Sequence, residues 1–185
     1  MQRICVFCGS SSGISEAYSK AAADLGQELA GRGIGLVYGG ASIGLMGKVA
    51  DAALSAGGEV IGVIPKTLVT EEVVHKGLTD LHVVDSMHAR KAQMEQLSDG
   101  FIALPGGIGT LEEFVEVLTW LQLRFHAKPC GLLSVNGYYD HLVRYLDHTV
   151  EQGFLKPKHR EKLLIADTAA AMIEELSRFA GLAPS

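Results

Sequence analysis

The amino-acid sequence predicts an α/β fold, a parallel sheet with helices on both faces. Short apolar runs, typical of strands buried on both sides, alternate along the chain with segments of helical periodicity. Three of these runs end in turns rich in glycine or serine, as expected where the strands of a parallel sheet meet a ligand. The 185 residues, 48% of them hydrophobic and 20% charged, fit one globular domain over residues 1–185.

The first half of the chain alternates strands and helices as far as residue 64. An apolar run predicts a strand at residues 4–8, and alanines and leucines at helical spacing predict a helix over residues 15–30. The pattern continues with a strand at 35–38, a helix at 45–56, strands at 60–64 and 81–84, and a helix that Ser86 caps and that ends near Ser98. Residues 66–80 have no firm period and are interpreted as a lid or an irregular loop.

The second half predicts a strand at 101–104, a helix that opens at Leu111, a strand at 130–134, helices at 138–152 and 168–179, and a short strand at 163–165. The helix from Leu111 is apolar in nearly every direction. Its apolar residues are Leu111, Phe114, Val115, Val117, Leu118, Trp120, Leu121 and Leu123. The sheet can cover only one side of such a helix, so we expect at least a homodimer with this helix at the interface.

Composition excludes several classes of function. The net charge is -5 and no cluster of Lys and Arg stands out, which argues against a nucleic-acid partner. No apolar run is long enough to span a bilayer, so we expect no membrane association and a cytoplasmic location. Cys5 and Cys8 lie within a predicted strand and point to opposite faces, and Cys130 stands alone. We therefore expect three core cysteines and no metal site.

The three turns each resemble a ligand loop without matching a known fingerprint. They begin at Gly9 and Ser10, at Gly39 and Gly40, and at Pro105. None has the third glycine of a dinucleotide site or the Ser/Thr of a Walker A loop. Together on one edge of a sheet they predict a concave rim of donors that suits a nucleoside monophosphate or another small phosphoester.

The turn at residues 105–113, PGGIGTLEE, admits two interpretations. Its glycines and the unpaired amides of the following helix could hold an anion, with one of the two carboxylates facing another part of the ligand. Alternatively, Thr110 and Glu113 form a capping box and Glu112 compensates the helix dipole.

The helix that begins at Met87 supplies cations. Met87, Met94 and Leu97 share one face, and Arg90 and Lys91 flank it. An arginine beside an apolar stripe keeps its charge and needs an anion. That partner is solvent or a structural carboxylate in one interpretation, and a substrate phosphate or Glu113 in the one that we favour.

These motifs resemble one family. PGGIGTLEE, MHARKAQM at residues 87–94 and YGGASIGLMG at residues 38–47 are similar to the Lonely Guy family of cytokinin riboside 5'-monophosphate phosphoribohydrolases. The resemblance extends from Cys5 to about Phe179. It departs at Ala41, where many members have glycine, and this departure concerns only the detailed geometry of that loop.

The resemblance implies a modified Rossmann-like fold, dimers or larger assemblies, and neither a metal nor a redox cofactor. It also implies hydrolysis of the N-glycosidic bond of adenosine monophosphate, plain or N6-prenylated, with Arg90 and Glu113 as the catalytic pair. The candidate substrate-binding residues, from the turns and the resemblance together, are Gly9, Ser10, Gly39, Gly40, Glu72, Met87, Lys91, Pro105, Gly106, Gly107, Ile108, Gly109, Thr110, Leu111, Glu112 and Thr119.

The chemistry fits these residue types. Glu113 is expected to stabilise an oxocarbenium-like state and to orient water, while the amides of residues 107–110 and the Thr110 hydroxyl hold the phosphate. Arg90 is expected to keep Glu113 ionised. Two alternatives stay open: a non-catalytic protein that binds adenine nucleotides, and a pyridoxal phosphate decarboxylase, after the family's former label of lysine decarboxylase.

Overall fold

A computed structural model describes residues 1–69 and 73–182 of the chain. The strands within these residues are β1 (Arg3–Phe7), β2 (Gly35–Tyr38), β3 (Val60–Pro65), β4 (Asp80–Val84), β5 (Gly100–Ala103), β6 (Cys130–Leu133) and β7 (Leu163–Ala166). They form one sheet in the order β4-β3-β2-β1-β5-β6-β7. Every pairing is parallel. The predicted α/β fold with a parallel sheet is confirmed.

Helices cover both faces of the sheet. They are α1 (Glu16–Gly31), α2 (Gly44–Ser55), α3 (Met87–Gln96), α4 (Ile108–Leu123), α5 (Asp140–Glu151), α6 (Pro157–Arg160) and α7 (Ala169–Leu182). Helices α1, α2 and α7 contribute to one buried cluster, around Ile4 and Leu36, and α3, α4 and α5 pack into the other, around Cys5 and Phe101. Because successive side chains of a strand point to opposite faces, β1 contributes to both clusters.

The cysteines lie where the strand pattern predicts. Cys5 belongs to the cluster under α3 and α4, whereas Cys8 belongs to the cluster under α1 and α2. All three cysteines are buried and free. Burial raises the pKa of each thiol, and the predicted placement of the cysteines in the core is confirmed. In the part of the chain that the structure describes, no helix has the length and apolar character that a membrane crossing requires.

Helix α4 begins at Ile108, three residues before the predicted start. Gly107 is its extended N-cap residue and makes no side-chain capping bond, and the Leu111 amide donates to the Gly107 carbonyl at 3.1 Å. The apolar pattern missed this start because the first turn is polar and glycine-rich. Thr110 therefore lies inside the helix, not at its cap, and the capping-box interpretation of Thr110 and Glu113 is wrong.

In the segment from residue 66 to residue 80, Lys66–Leu68 form a short 3₁₀ turn. From residue 73 onward the chain lies beside the turn after β2. Val74 forms an isolated antiparallel bridge with Ala41, and the Ser42 amide donates to the Val73 carbonyl at 2.8 Å. His75 donates its amide to the Gly40 carbonyl at 3.0 Å. The described part of this segment is thus an irregular loop fixed to the second glycine turn.

The chain reverses its winding between β1 and β5. These strands are neighbours in the sheet, yet α1 leaves β1 on one face and α4 leaves β5 on the other. Diverging connections leave a crevice at the carboxyl ends of the two strands, which is where open α/β sheets bind ligands.

Candidate active site

The crevice between β1 and β5 is a groove of about 300 Å³. Its wall consists of residues 9–13 after β1, residues 105–107 after β5, and the side chains of Tyr18, Leu45 and Tyr138. Leu45 lies in the first turn of α2, directly after the second glycine turn, and its amide donates to the Gly9 carbonyl at 3.0 Å. The structure therefore brings the three predicted turns to one edge of the sheet, with the first and third lining the groove directly.

The turn at residues 105–107 holds its carbonyl groups in hydrogen bonds to three different parts of the chain. Pro105 O accepts from the Gly9 amide at 3.1 Å, Gly106 O from the Tyr138 hydroxyl at 2.6 Å, and Gly107 O from the Leu111 amide at 3.1 Å. Among the described residues, none accepts a hydrogen bond from the amides of residues 107–110. These free donors at the positive end of α4 can bind an anion.

Steric space around the turn differs from one glycine to the next. A Cβ atom on Gly106 would overlap the Thr110 hydroxyl and lie 2.9 Å from the Gly9 nitrogen, whereas one on Gly107 or Gly109 would meet nothing within 4 Å. Gly106 is therefore required for packing, and the buried Thr110 side chain lies directly against it. Gly107 and Gly109 leave the amide row open to a ligand.

Arg90 and Glu113 form a buried ion pair between α3 and α4. The Arg90 Nη1 atom donates to Glu113 Oε1, and its Nε atom donates to the Val63 carbonyl at 3.0 Å. Arg90 is 8% exposed, so it does not extend into solvent. Gly39 makes room for the guanidinium, because a Cβ atom there would overlap Arg90 Nη2. The second glycine turn thus contributes space for the ion pair.

A second charged cluster lies next to this pair. Lys91 Nζ donates to Glu112 Oε1 at 2.5 Å and to Glu116 at 3.1 Å. Glu112 therefore pairs with a lysine. The sequence suggested that it compensates the dipole at the helix start, but it lies beyond the first turn of α4. Glu116 was missed, although it stands four residues after Glu112, and this spacing places both carboxylates on one face of a helix.

Other predicted residues lie farther from the groove. Gly40 has a positive φ of 77° and packs against Ile64 and Leu81. The exposed Thr119 donates its hydroxyl to the Val115 carbonyl at 2.7 Å. Its side chain lines a separate groove between α4 and α5. The side chains of Met87, Ile108 and Leu111 are exposed at this end of the molecule, and Glu72 lies outside the described residues. Ser10, by contrast, is exposed within the wall of the groove.

Comparison with known proteins connects this geometry to a family. A family model described as "Possible lysine decarboxylase" matches residues 46–176. A cytokinin riboside 5'-monophosphate phosphoribohydrolase of Arabidopsis thaliana is 52% identical over 179 residues, covering 97% of this chain and 83% of the relative. A probable enzyme of the same name from Oryza sativa subsp. japonica is 52% identical over 178 residues, 96% of this chain and 78% of the relative. The chain belongs to this phosphoribohydrolase family.

Solved structures support the fold of this phosphoribohydrolase family member. The molybdenum cofactor carrier protein of Chlamydomonas reinhardtii has a TM-score of 0.72 at 23% identity, over 97% of this chain and 98% of its own. The molybdenum cofactor binding protein of Rippkaea orientalis has a TM-score of 0.71 at 24% identity, over 95% of each chain. At these identities the likeness shows a shared architecture only.

Burial and neighbouring charges shift the pKa of groups in both ionic clusters of the candidate site. Burial raises the pKa of Glu113, and the charge of Arg90 and its hydrogen bond oppose that shift without cancelling it. Arg90 therefore favours the ionised form of Glu113, as its expected role requires, while burial has the larger effect on the pKa of this carboxyl. For Lys91, burial opposes the shift, but hydrogen bonds and charges from Glu112 and Glu116 together raise the pKa.

Proposed function

We propose that this protein hydrolyses the N-glycosidic bond of adenosine 5'-monophosphate or of its N6-prenylated form, a cytokinin riboside monophosphate. The products are the free base and ribose 5-phosphate. The observation that carries the proposal is the buried pair of Arg90 and Glu113 beside an open row of helix amides. The relatives named for this activity are half identical to the chain over nearly all of its length.

The amide row is our phosphate site. Four amides, of residues 107–110, lie at the positive end of a helix of 16 residues and have open space in front of Gly107 and Gly109. A phosphate held there stays remote from the bond that breaks, so its binding energy can position the sugar. The Thr110 hydroxyl lies at the same turn and is our additional phosphate donor.

Glu113 is our charge-stabilising catalyst. As the base leaves with the electrons of the N-glycosidic bond, the C1' atom becomes cationic, and a nearby carboxylate stabilises that charge. Water then bonds to C1', and its proton is lost as the base gains one. Arg90 holds the Oε1 atom of Glu113, so we assign the Oε2 atom to water and Arg90 to the orientation of the carboxylate.

The charge of Lys91 disfavours a decarboxylase. A lysine that forms a Schiff base must be neutral at the moment of attack. Lys91 is instead held by two carboxylates that raise its pKa, and these contacts keep it protonated. The observation favours a structural or phosphate-facing role for this cation.

One experiment tests the proposal against a non-catalytic nucleotide binder. The protein is incubated separately with adenosine monophosphate and with isopentenyladenosine monophosphate, and the products are separated by chromatography. We expect free base and ribose 5-phosphate in equal amounts, and the ratio of the two rates shows which base is preferred. Tight binding with intact nucleotide after long incubation would replace the hydrolase with a binder.

We also propose a homodimer through α4. Its outward face exposes Ile108, which is 87% exposed, together with Leu111, Val115 and Leu123. Beside it lies the groove of about 120 Å³ that Leu118 and Thr119 line.

Thr119 follows Glu113 by six residues, roughly 9 Å along the helix and about 240° around it. Thr119 would therefore meet substrate only in the site of a second copy. Sedimentation showing a monomer at micromolar concentration would exclude this assembly.

A further inference from the structure

Two consecutive tyrosines after β6 reach back to the turn after β5. The Tyr139 hydroxyl donates to the Leu104 carbonyl and the Tyr138 hydroxyl to the Gly106 carbonyl, each at 2.6 Å. The short 3₁₀ segment Val135–Gly137 precedes them, with positive φ angles at Asn136 and Gly137. The Ser134 hydroxyl accepts from the Tyr139 amide at 3.0 Å. The segment is thus held so that both rings face the turn.

The two hydroxyls act in different surroundings. Tyr139 is 6% exposed and its partner carbonyl follows directly on β5, so this bond belongs to the core. Tyr138 is 40% exposed, lines the groove, and contacts Tyr18 edge to face with ring centroids 5.5 Å apart. Its hydroxyl therefore meets the turn at the wall of the groove.

The bond to Gly106 O orients one of the free amides. A peptide unit is planar and trans, so the Gly106 carbonyl and the Gly107 amide hydrogen point in opposite directions. A hydroxyl that holds the carbonyl toward Tyr138 directs the Gly107 N–H away from it. Glycines flank this peptide on both sides, and the unit has little intrinsic resistance to rotation. Hydrogen bonds to the Pro105 and Gly107 carbonyls hold the two neighbouring peptides, and the Tyr138 hydrogen bond holds this one.

We propose that Tyr138 is a positioning residue for the phosphate of the substrate, acting through the orientation of the peptide between Gly106 and Gly107. The inference rests on the proposed function. It assigns Tyr138 to binding and not to the chemical step, since its hydroxyl is occupied by the turn and the ion pair of Arg90 and Glu113 lies on another part of the site.

The test is Tyr138→Phe, which keeps the ring and removes the hydroxyl. We expect KM for adenosine monophosphate to rise on the order of tenfold while kcat changes less than about threefold, because a binding contact common to ground and transition states is weakened. Inhibition by ribose 5-phosphate should weaken by a similar factor. With adenosine, which has no phosphate, kcat/KM should stay near the parental value.

Tyr139→Phe is the matched control, since it removes a hydroxyl that makes an equally short bond to a carbonyl two residues earlier. We expect it to lower Tm and leave KM near the parental value. A parental KM in Tyr138→Phe, or an equal loss on adenosine, would overturn the inference.

Failure of the proposed function would be seen in the parental protein itself, as an absence of base release. If the parental protein releases no base, the affinity for adenosine monophosphate replaces KM as the readout. A weaker affinity in Tyr138→Phe alone then supports the positioning role, and equal affinities in both tyrosine variants and the parent overturn it.

Discussion

The two ends of the candidate site differ in how much of their hydrogen-bonding capacity is already used. At one end, Arg90 and Glu113 are buried against each other, and Arg90 also contacts the Val63 carbonyl. At the other, the amides of residues 107–110 have no partner within the described residues, and their glycines face open space. A preformed charge needs a rigid, dry setting, whereas a phosphate must exchange with water. The difference assigns the chemical step to the ion pair of Arg90 and Glu113, the closed end of the site, and phosphate binding to the amides of residues 107–110, its open end.

The closed end should respond most strongly to the loss of a single charge. Glu113→Gln keeps an acceptor for Arg90 but removes the negative charge that stabilises the oxocarbenium-like state. Turnover should fall by a factor on the order of a hundred or more, while affinity for adenosine monophosphate survives. The free energy of unfolding should fall by about 1–3 kcal/mol, because a buried guanidinium keeps only a neutral partner. Base release, nucleotide affinity and melting are measured together.

Glu95→Gln is the control for this change. Glu95 also forms a partly buried ion pair on α3, with Lys128 Nζ at 2.5 Å, yet it lies outside the candidate site. Its turnover should stay parental. Parental base release from folded Glu113→Gln would remove Glu113 from the mechanism.

The open end should matter through the phosphate. Adenosine lacks the group that the amide row would hold, so its kcat/KM should be at least about tenfold lower than that of adenosine monophosphate. Initial rates on both compounds at equal enzyme concentration measure the ratio. Comparable rates would mean that the row does not hold phosphate.

A pair of glycine substitutions separates packing from openness within one turn. In Gly106→Ala the new methyl group overlaps the Thr110 hydroxyl and lies too close to the Gly9 nitrogen. The free energy of unfolding should therefore fall by about 1–3 kcal/mol. In Gly107→Ala the methyl group enters open space, and the free energy of unfolding should change by no more than about 0.5 kcal/mol. Urea unfolding of both variants gives the comparison, and equal losses would contradict the described packing.

The smallest expected effect is a shift of the acid limb of activity. Burial raises the pKa of Glu113 above its ordinary 4.5, so below the raised value the carboxyl is protonated and inactive. Between the two values the folded protein binds more protons at Glu113 than the unfolded chain, and the contribution of this group to stability falls as pH rises. The profile of kcat/KM should decline on the acid side above pH 4.5, and a limb at or below it would contradict the assignment.

Much of the fold was predictable because its signals are local. β2 was predicted with the observed bounds, and the predicted cap at Ser86 is confirmed. Strand character comes from runs of four to six apolar residues and helix character from a 3.6-residue period, so both are contained in short windows. The start of α4 was predicted three residues too late because its N-cap residue, Gly107, has no side chain that would mark a cap as serine or threonine does.

The site depended on contacts between distant parts of the chain. Glu113 was among the expected partners of Arg90, but the burial that raises the pKa of Glu113 arises only when α3 and α4 pack on the same face of the sheet. The Tyr138 bond to Gly106 spans 32 residues and had no sequence signal, since a tyrosine near a helix start is equally compatible with solvent. Periodicity and turn composition therefore specified the sheet and located its ligand edge. Only the tertiary structure decided which polar groups are paired and which stay free, because pairing depends on how separate elements meet in space.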